Sequence, residues 1–196
     1  MEKMGLPIRK EDRIYTYADY LSWPEEERWE LIDGVAYDMS PAPNRRHQEI
    51  VGKVFLELAN FLDNSPCSVY VAPFDVRLTD TPEAPDEEIR NVVQPDVSVY
   101  CREQDQLDDA GAVAAPDIAV EVLSPYTSVK DQREKLALYE RFGVKEYWII
   151  DPANNTLSVH TLSHGAYGKP AIYGPEETFK STVIEGFTLH LAGLFG

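Results

Sequence analysis

Three side chains in the middle of the chain have the types and the order that phosphoester hydrolysis on a divalent ion requires: Asp96, Glu121 and Lys135. Asp96 follows Pro95 inside the strand-like run Val92 to Tyr100, and Glu121 is the one carboxylate in the apolar run Ile118 to Leu123. If the two runs are neighbouring strands, these carboxylates, 25 positions apart in sequence, meet at one end of a sheet. Two hard oxygen ligands completed by water are a common way to hold Mg²⁺. Such an ion polarises a phosphoryl oxygen and lowers the pKa of a bound water, while an ammonium nearby positions that water or stabilises developing charge. Lys135 is the candidate ammonium. The plainer reading is a lysine snorkelling from the edge of an apolar stripe, or paired with Asp131 one helical turn earlier.

The elements that must position these groups are written between Ala115 and Pro152. A run as apolar and β-branched as Ile118 to Leu123 reads as a strand covered on both faces, where an unpaired charge is costly. Ser124-Pro125 ends it, because proline offers no N–H and restricts the residue before it. Thr127 or Ser128 can cap a helix reaching about Phe142, with Gly143 as its stop. Lys145 to Asp151 is a second strand, closed by turn residues. Strand, helix and strand make a right-handed βαβ unit with parallel strands. Glu121 then sits near the C-terminal end of its strand, where open α/β sheets place ligands. Asp131, Lys135 and Tyr139, at i, i+4 and i+8, share one helix face.

Upstream, Thr16 caps a short helix, and Asp33-Gly34 joins Glu30 to Ile32 with Val35 to Met39 as a hairpin. Ser40 to Asn44 breaks the chain. His47, Ile50, Val51, Val54, Phe55, Leu58, Phe61 and Leu62 recur at helical spacing, giving an amphipathic helix over about 45–63. Cys67 to Leu78 reads as a strand or a bent strand pair around Pro73, and Pro95 marks a bulge or edge in Val92 to Tyr100. After Asp151 come antiparallel strands and a short closing turn. The fold class is α/β, a mixed sheet flanked by helices with hairpins at both ends, organised as one domain over 1–196 with an extended segment at 1–14.

Net charge is −16, and 7 of those charges fall in two loops, Thr79 to Asn91 and Arg102 to Asp109. That balance argues against a broad basic surface for nucleic acid. The basic clusters are short, at Arg45-Arg46 and at Lys130/Arg133/Lys135. Two cysteines, Cys67 and Cys101, point to a reducing compartment without a disulfide framework. With no membrane-spanning run and no signal peptide, a cytoplasmic protein is expected.

Pro95-Asp96, then Glu121-Val122-Leu123-Ser124-Pro125, then Asp131, Lys135 and Tyr139, then Gly143 to Pro152 (GVKEYWIIDP), together resemble the Uma-type restriction endonuclease family. That family lies within the PD-(D/E)XK nuclease-like superfamily. Glu30 to Gly34, Met39-Ser40-Pro41 and His47 extend the resemblance over about Tyr15 to Leu191. It implies a restriction-endonuclease-like fold and a metal-dependent phosphodiesterase site. Asp96 and Glu121 match the family's metal ligands, with the Val122 backbone carbonyl as a third. Leu123 stands where the superfamily's E-x-K pattern has lysine, and Lys135 on the following helix is the matching ammonium.

The accessory candidates each carry a plainer alternative. Glu30 is either a further acid of the site or a solvated strand end. Asp75 faces the same site or pairs at the surface. His47 is a structural helix-start residue or a contact to the site, Asp131 a helix-start charge or a brace for Lys135. Tyr139 is a core residue with its hydroxyl satisfied. The expected function is an endonuclease cutting DNA with Mg²⁺ or Mn²⁺. A nuclease-like binding or regulatory module is the alternative that the acidic surface favours, and a hydrolase of small phosphoesters would use the same ligands. The apolar strands after Asp151 (LSVHTL, FTLHL) lead to the expectation of a homodimer that covers them.

Overall fold

Two sheets meet along a seam, and the two shortest crossings between them, Ala72-Pro73-Phe74 and Gln94-Pro95-Asp96, each carry a proline. In this computed structural model residues 13–24, 26–39, 44–81, 83–101 and 106–196 are described. The segment expected to break the chain at 40–43, and most of the extension expected over 1–14, lie outside them. The first elements are α1 (Tyr17–Tyr20), β1 (Trp29–Ile32), β2 (Val35–Asp38), the long helix α2 (Arg45–Leu62), β3 (Ser68–Val71) and β4 (Asp75–Arg77). Next come β5 (Val92–Val93), β6 (Val97–Tyr100), the short pair β7 (Leu107–Asp108) and β8 (Gly111–Ala112), and β9 (Ile118–Val122). Beyond β9 the chain forms α3 (Ser128–Lys130), a π-helical turn (Asp131–Lys135), α4 (Leu136–Arg141) and β10 (Glu146–Asp151). The last elements are β11 (Thr156–Ser163), β12 (Ala166–Tyr167), β13 (Ala171–Tyr173), β14 (Thr178–Lys180), β15 (Thr188–His190) and α5 (Leu191–Phe195).

Local chemistry explains the ends of these elements. Thr16 and Asp19 close a reciprocal capping box on α1. Asp33 and Gly34 both take positive φ, 51° and 74°, the backbone of a tight hairpin turn between β1 and β2. The Asn44 side chain accepts the His47 N–H and caps α2.

The main sheet has the order β12-β11-β10-β9-β6-β3, with β13 also on β11. β9 and β10 are parallel, as a βαβ unit requires, and β6 lies antiparallel on the other side of β9. Strand alternation sorts β9 by face. Ile118, Val120 and Val122 join the core under α2, whereas Ala119 and Glu121 face the helices that follow β9. The second sheet has the order β2-β1-β5-β4-β8-β7.

Three expectations change. Val92 to Tyr100 is not one bulged strand: β5 and β6 belong to different sheets, and Gln94-Pro95-Asp96 is the crossing. Of the two readings of Cys67 to Leu78 the strand pair holds, with Ala72-Pro73-Phe74 crossing likewise between β3 and β4. Cys67 and Cys101 are bonded to each other, because the register that pairs Ser68 with Tyr100 sets them opposite one another just beyond the ends of β3 and β6. Cysteine usage therefore gives no support to a reducing compartment. Finally, Leu157, Val159, Phe179 and Leu189 of the last strands pack into the main core of the same chain, so these strands need no second copy to cover them. Among the described residues no helix is long and apolar enough to cross a membrane.

Candidate active site

The β6–β9 register fixes the centre of the site. Val97 pairs with Val120, so Asp96, one residue earlier, stands opposite Glu121, one residue later. Asp96 Oδ2 accepts the Val122 N–H at 2.7 Å, which locks that carboxylate against the end of β9. His47 reaches the same oxygen from the first turn of α2, with Nε2 at 3.2 Å. Both readings of His47 are therefore combined in one residue, since its backbone N–H is capped while its ring holds Asp96. Its Nδ1 is buried without a partner among the described residues.

Glu121 is 5% exposed, and its Oε1 accepts from Lys135 Nζ at 2.6 Å and from the Tyr139 hydroxyl at 3.2 Å. Lys135 also reaches Glu30 Oε1 at 2.7 Å, across from the second sheet. Glu30 is wholly buried and takes a further ion pair from Lys130 and a hydrogen bond from the Gln94 N–H at 2.8 Å. The π turn makes this sharing possible. Residues five apart lie roughly 140° apart on an α-helix, but i→i+5 bonding widens the turn. Lys130, Asp131 and Lys135 can then all be buried against the sheets.

Four carboxylates thus surround two ammoniums, and the charges settle unevenly. Burial pushes Glu30 up, yet Lys130 and Lys135 together overcome this and hold it at about 2. Burial raises Glu121 well above the usual carboxylate range; Lys135 opposes this, while Asp131, Asp96 and Glu30 reinforce it. Asp131 is raised for the same first reason, against Lys135 and Lys130, and its Oδ1 has no hydrogen-bond partner. Burial disfavours the Lys135 ammonium, but Glu121, Glu30 and Asp131 hold it well above its ordinary value. For His47 burial pulls down and the Asp96 contact pulls up, with the latter prevailing.

These groups line a cleft of about 310 Å³ at the seam of the sheets. Asp75 does not line it, contrary to expectation. Its Oδ1 accepts from Gln94 Nε2 at 2.7 Å and from the Tyr20 hydroxyl at 3.1 Å, so it touches the site only through Gln94. Lys130 and Gln94 are the residues that sequence reasoning missed. Lys130 stood out only as one of a basic cluster, and Gln94 only as the neighbour of Pro95-Asp96.

The excess of buried negative charge and the orphaned Asp131 oxygen fit a hard divalent cation. Among the described residues no three His, Cys, Asp or Glu side chains converge as a metal cage. Asp96 and Glu121 supply two hard oxygen donors, a set that would suit Mg²⁺ if a backbone carbonyl and water completed the shell.

A mixed α/β fold with sheet-borne carboxylates facing lysines of the crossover helix belongs to the restriction-endonuclease-like class. A crystal structure from Anabaena variabilis, described as a putative nuclease belonging to DUF820, superimposes with a TM-score of 0.73. The match covers 92% of this chain and 97% of that one at 19% identity, a likeness of fold. The family model Uma2, "Putative restriction endonuclease", matches residues 17–192, and the chain belongs to that family. An uncharacterized protein of Synechocystis sp. is 30% identical over 123 residues; the match spans 62% of this chain and 60% of that protein's length.

Proposed function

We propose that this protein is a divalent-metal-dependent endonuclease that hydrolyses DNA phosphodiester bonds, using Mg²⁺ or Mn²⁺. The observation that carries the reading is the register that sets Asp96 opposite Glu121, with the Lys135 ammonium on Glu121 inside one cleft. Asp96, Glu121 and the Val122 carbonyl would hold the ion, which when bound supplies a polarised phosphoryl oxygen and a more acidic water. Lys135 has three N–H donors, of which Glu30 and Glu121 take two. The third is available to hold the attacking water, Asp131 Oδ1 being 3.9 Å away. Lys130 keeps Glu30 charged and so keeps Lys135 in place. His47 and the Val122 N–H orient Asp96. Every residue in this account comes from one chain.

Supercoiled plasmid incubated with Mg²⁺ or Mn²⁺ should be nicked by the wild type, and Asp96→Ala, Glu121→Ala and Lys135→Ala should each abolish the nicking. Undiminished activity in Glu121→Ala removes the mechanism. Absence of cleavage, with no Mn²⁺ site by calorimetry, leaves a nuclease-like binding module.

A further inference from the structure

We propose that the cleft takes an unpaired DNA strand, one base stacking on Tyr126 and a neighbouring phosphate meeting Arg28. The inference rests on the nuclease reading above and names the substrate form that the same site fits.

Burial is the first argument. Glu121, Asp131 and Lys135 are 5%, 1% and 2% exposed, so a scissile phosphate must enter the cleft to reach them. A cleft of about 310 Å³ is at the small end of small-molecule sites. That suits a nucleotide of one strand, so a duplex must open locally before its phosphate enters, as supercoiled plasmid can.

Charge is the second. Duplex binding draws its affinity from many Lys and Arg contacts to phosphates, and four of the five residues in the basic clusters of this chain are engaged elsewhere. Lys130 and Lys135 are buried on Glu30 and Glu121. Arg45 pairs with Glu49 at 2.8 Å, and Arg46 donates to the Phe195 carbonyl at 2.6 Å. Among the cations that line the cleft, only Arg28 has no acidic partner within the described residues: its guanidinium donates to the neutral Gln94 Oε1 at 3.1 Å. One of its five donors is thereby used and its orientation set, leaving the others for a phosphate.

The third is the cleft mouth. Tyr126 lines it on the turn after β9, is 49% exposed, and makes no ring contact or hydrogen bond with another described residue. Bases inside a duplex stack on one another, and a side chain reaches their faces only by unstacking a step, whereas an unpaired base offers its face freely. An exposed aromatic and a guanidinium without an acidic partner, lining one cleft, are the combination that binds single strands without sequence preference.

The test compares a fluorescein-labelled oligothymidylate with a blunt duplex of the same length, by anisotropy, with Ca²⁺ in place of the catalytic ion. The wild type should bind the single strand more tightly. Tyr126→Ala should weaken that binding about ten-fold, Tyr126→Trp should restore it, and Arg28→Ala should weaken it several-fold, roughly the scale of one stacked base or one phosphate contact. Tyr126 is exposed, so Tyr126→Ala should keep the wild-type unfolding midpoint. Duplex bound as tightly as the single strand, or no effect of Tyr126→Ala, overturns the proposal; if Asp96-dependent nicking persists, the nuclease reading stands without it. Tyr126-dependent binding of the single strand without cleavage of any DNA supports the strand assignment and overturns the nuclease reading.

Discussion

Glu30→Gln tests how the buried charges are held together. The substitution keeps the shape of the side chain and an acceptor for the Gln94 N–H, and removes the charge that Lys130 and Lys135 share. Lys135 keeps Glu121 at 2.6 Å. Lys130, 1% exposed, has no other hydrogen-bond or ion-pair partner among the described residues and is left as a buried, unpaired ammonium. Two lines of reasoning set the size. A carboxylate held at about 2, from an ordinary 4.5, stabilises the fold by about 3 kcal/mol at neutral pH. Breaking a buried pair by removing one member costs about 3–5 kcal/mol. We expect urea unfolding of Glu30→Gln at neutral pH to show a loss in that range, a large share of a typical stability of about 5–15 kcal/mol. Because the Glu30 pKa is lowered on folding, its contribution is complete above 4.5 and fades as pH falls toward 2, so wild-type and variant stabilities should converge in acid. Glu30→Gln/Lys130→Met, which also removes the stranded ammonium, should recover more than half of the loss. A single-variant loss below about 1 kcal/mol, or a double variant no better than the single, would refute the account of Lys130 as wholly dependent on Glu30.

Two further outcomes follow from the same structure. Reducing the Cys67–Cys101 bond, which closes a loop across a sequence separation of 34, should lower the unfolding free energy by about 4 kcal/mol; urea titrations with and without reductant measure this, and identical midpoints would show that the bond does not restrain the unfolded chain. Mn²⁺ should raise the thermal midpoint of the wild type in proportion to its binding, by about 3 kcal/mol of stability at a hundred-fold excess over Kd, and should leave that of Asp96→Ala unmoved; an equal rise in both would place the ion elsewhere.

The βαβ unit was legible because its physics is local. Ile118 to Val122 is buried at every position, and continuous apolarity is what a doubly covered strand must have. The Asp33-Gly34 turn and the amphipathic α2 were legible for the same reason. The division into two sheets was not. An apolar run reads alike whether its two halves pair with one sheet or with two, and only partners distant in sequence decide that β5 and β6 part at Pro95. The disulfide was hidden likewise, since it depends on the β3–β6 register and not on the number of cysteines. Lys130 was missed because an α-helical wheel turns it away from Lys135; the π turn that brings both inward has no marker among Asp131 to Lys135. Asp75 was placed on the right strand, but Gln94 stands between it and the cleft.

The charge distribution is one that the proposed chemistry would need and that stability alone would not. An apolar layer of the same shape would serve the fold at least as well, since buried ion pairs seldom repay their desolvation. Here the mismatch goes further, because Glu30 engages both ammoniums and leaves Glu121 and Asp131 undercompensated. A fold selected only for stability would have lost one of those carboxylates. One that must receive a cation gains by keeping both short of positive charge, with Lys135 already held rigidly by two acids. The cleft is then unfavourable in isolation for the same reason that it suits an ion and a phosphate together.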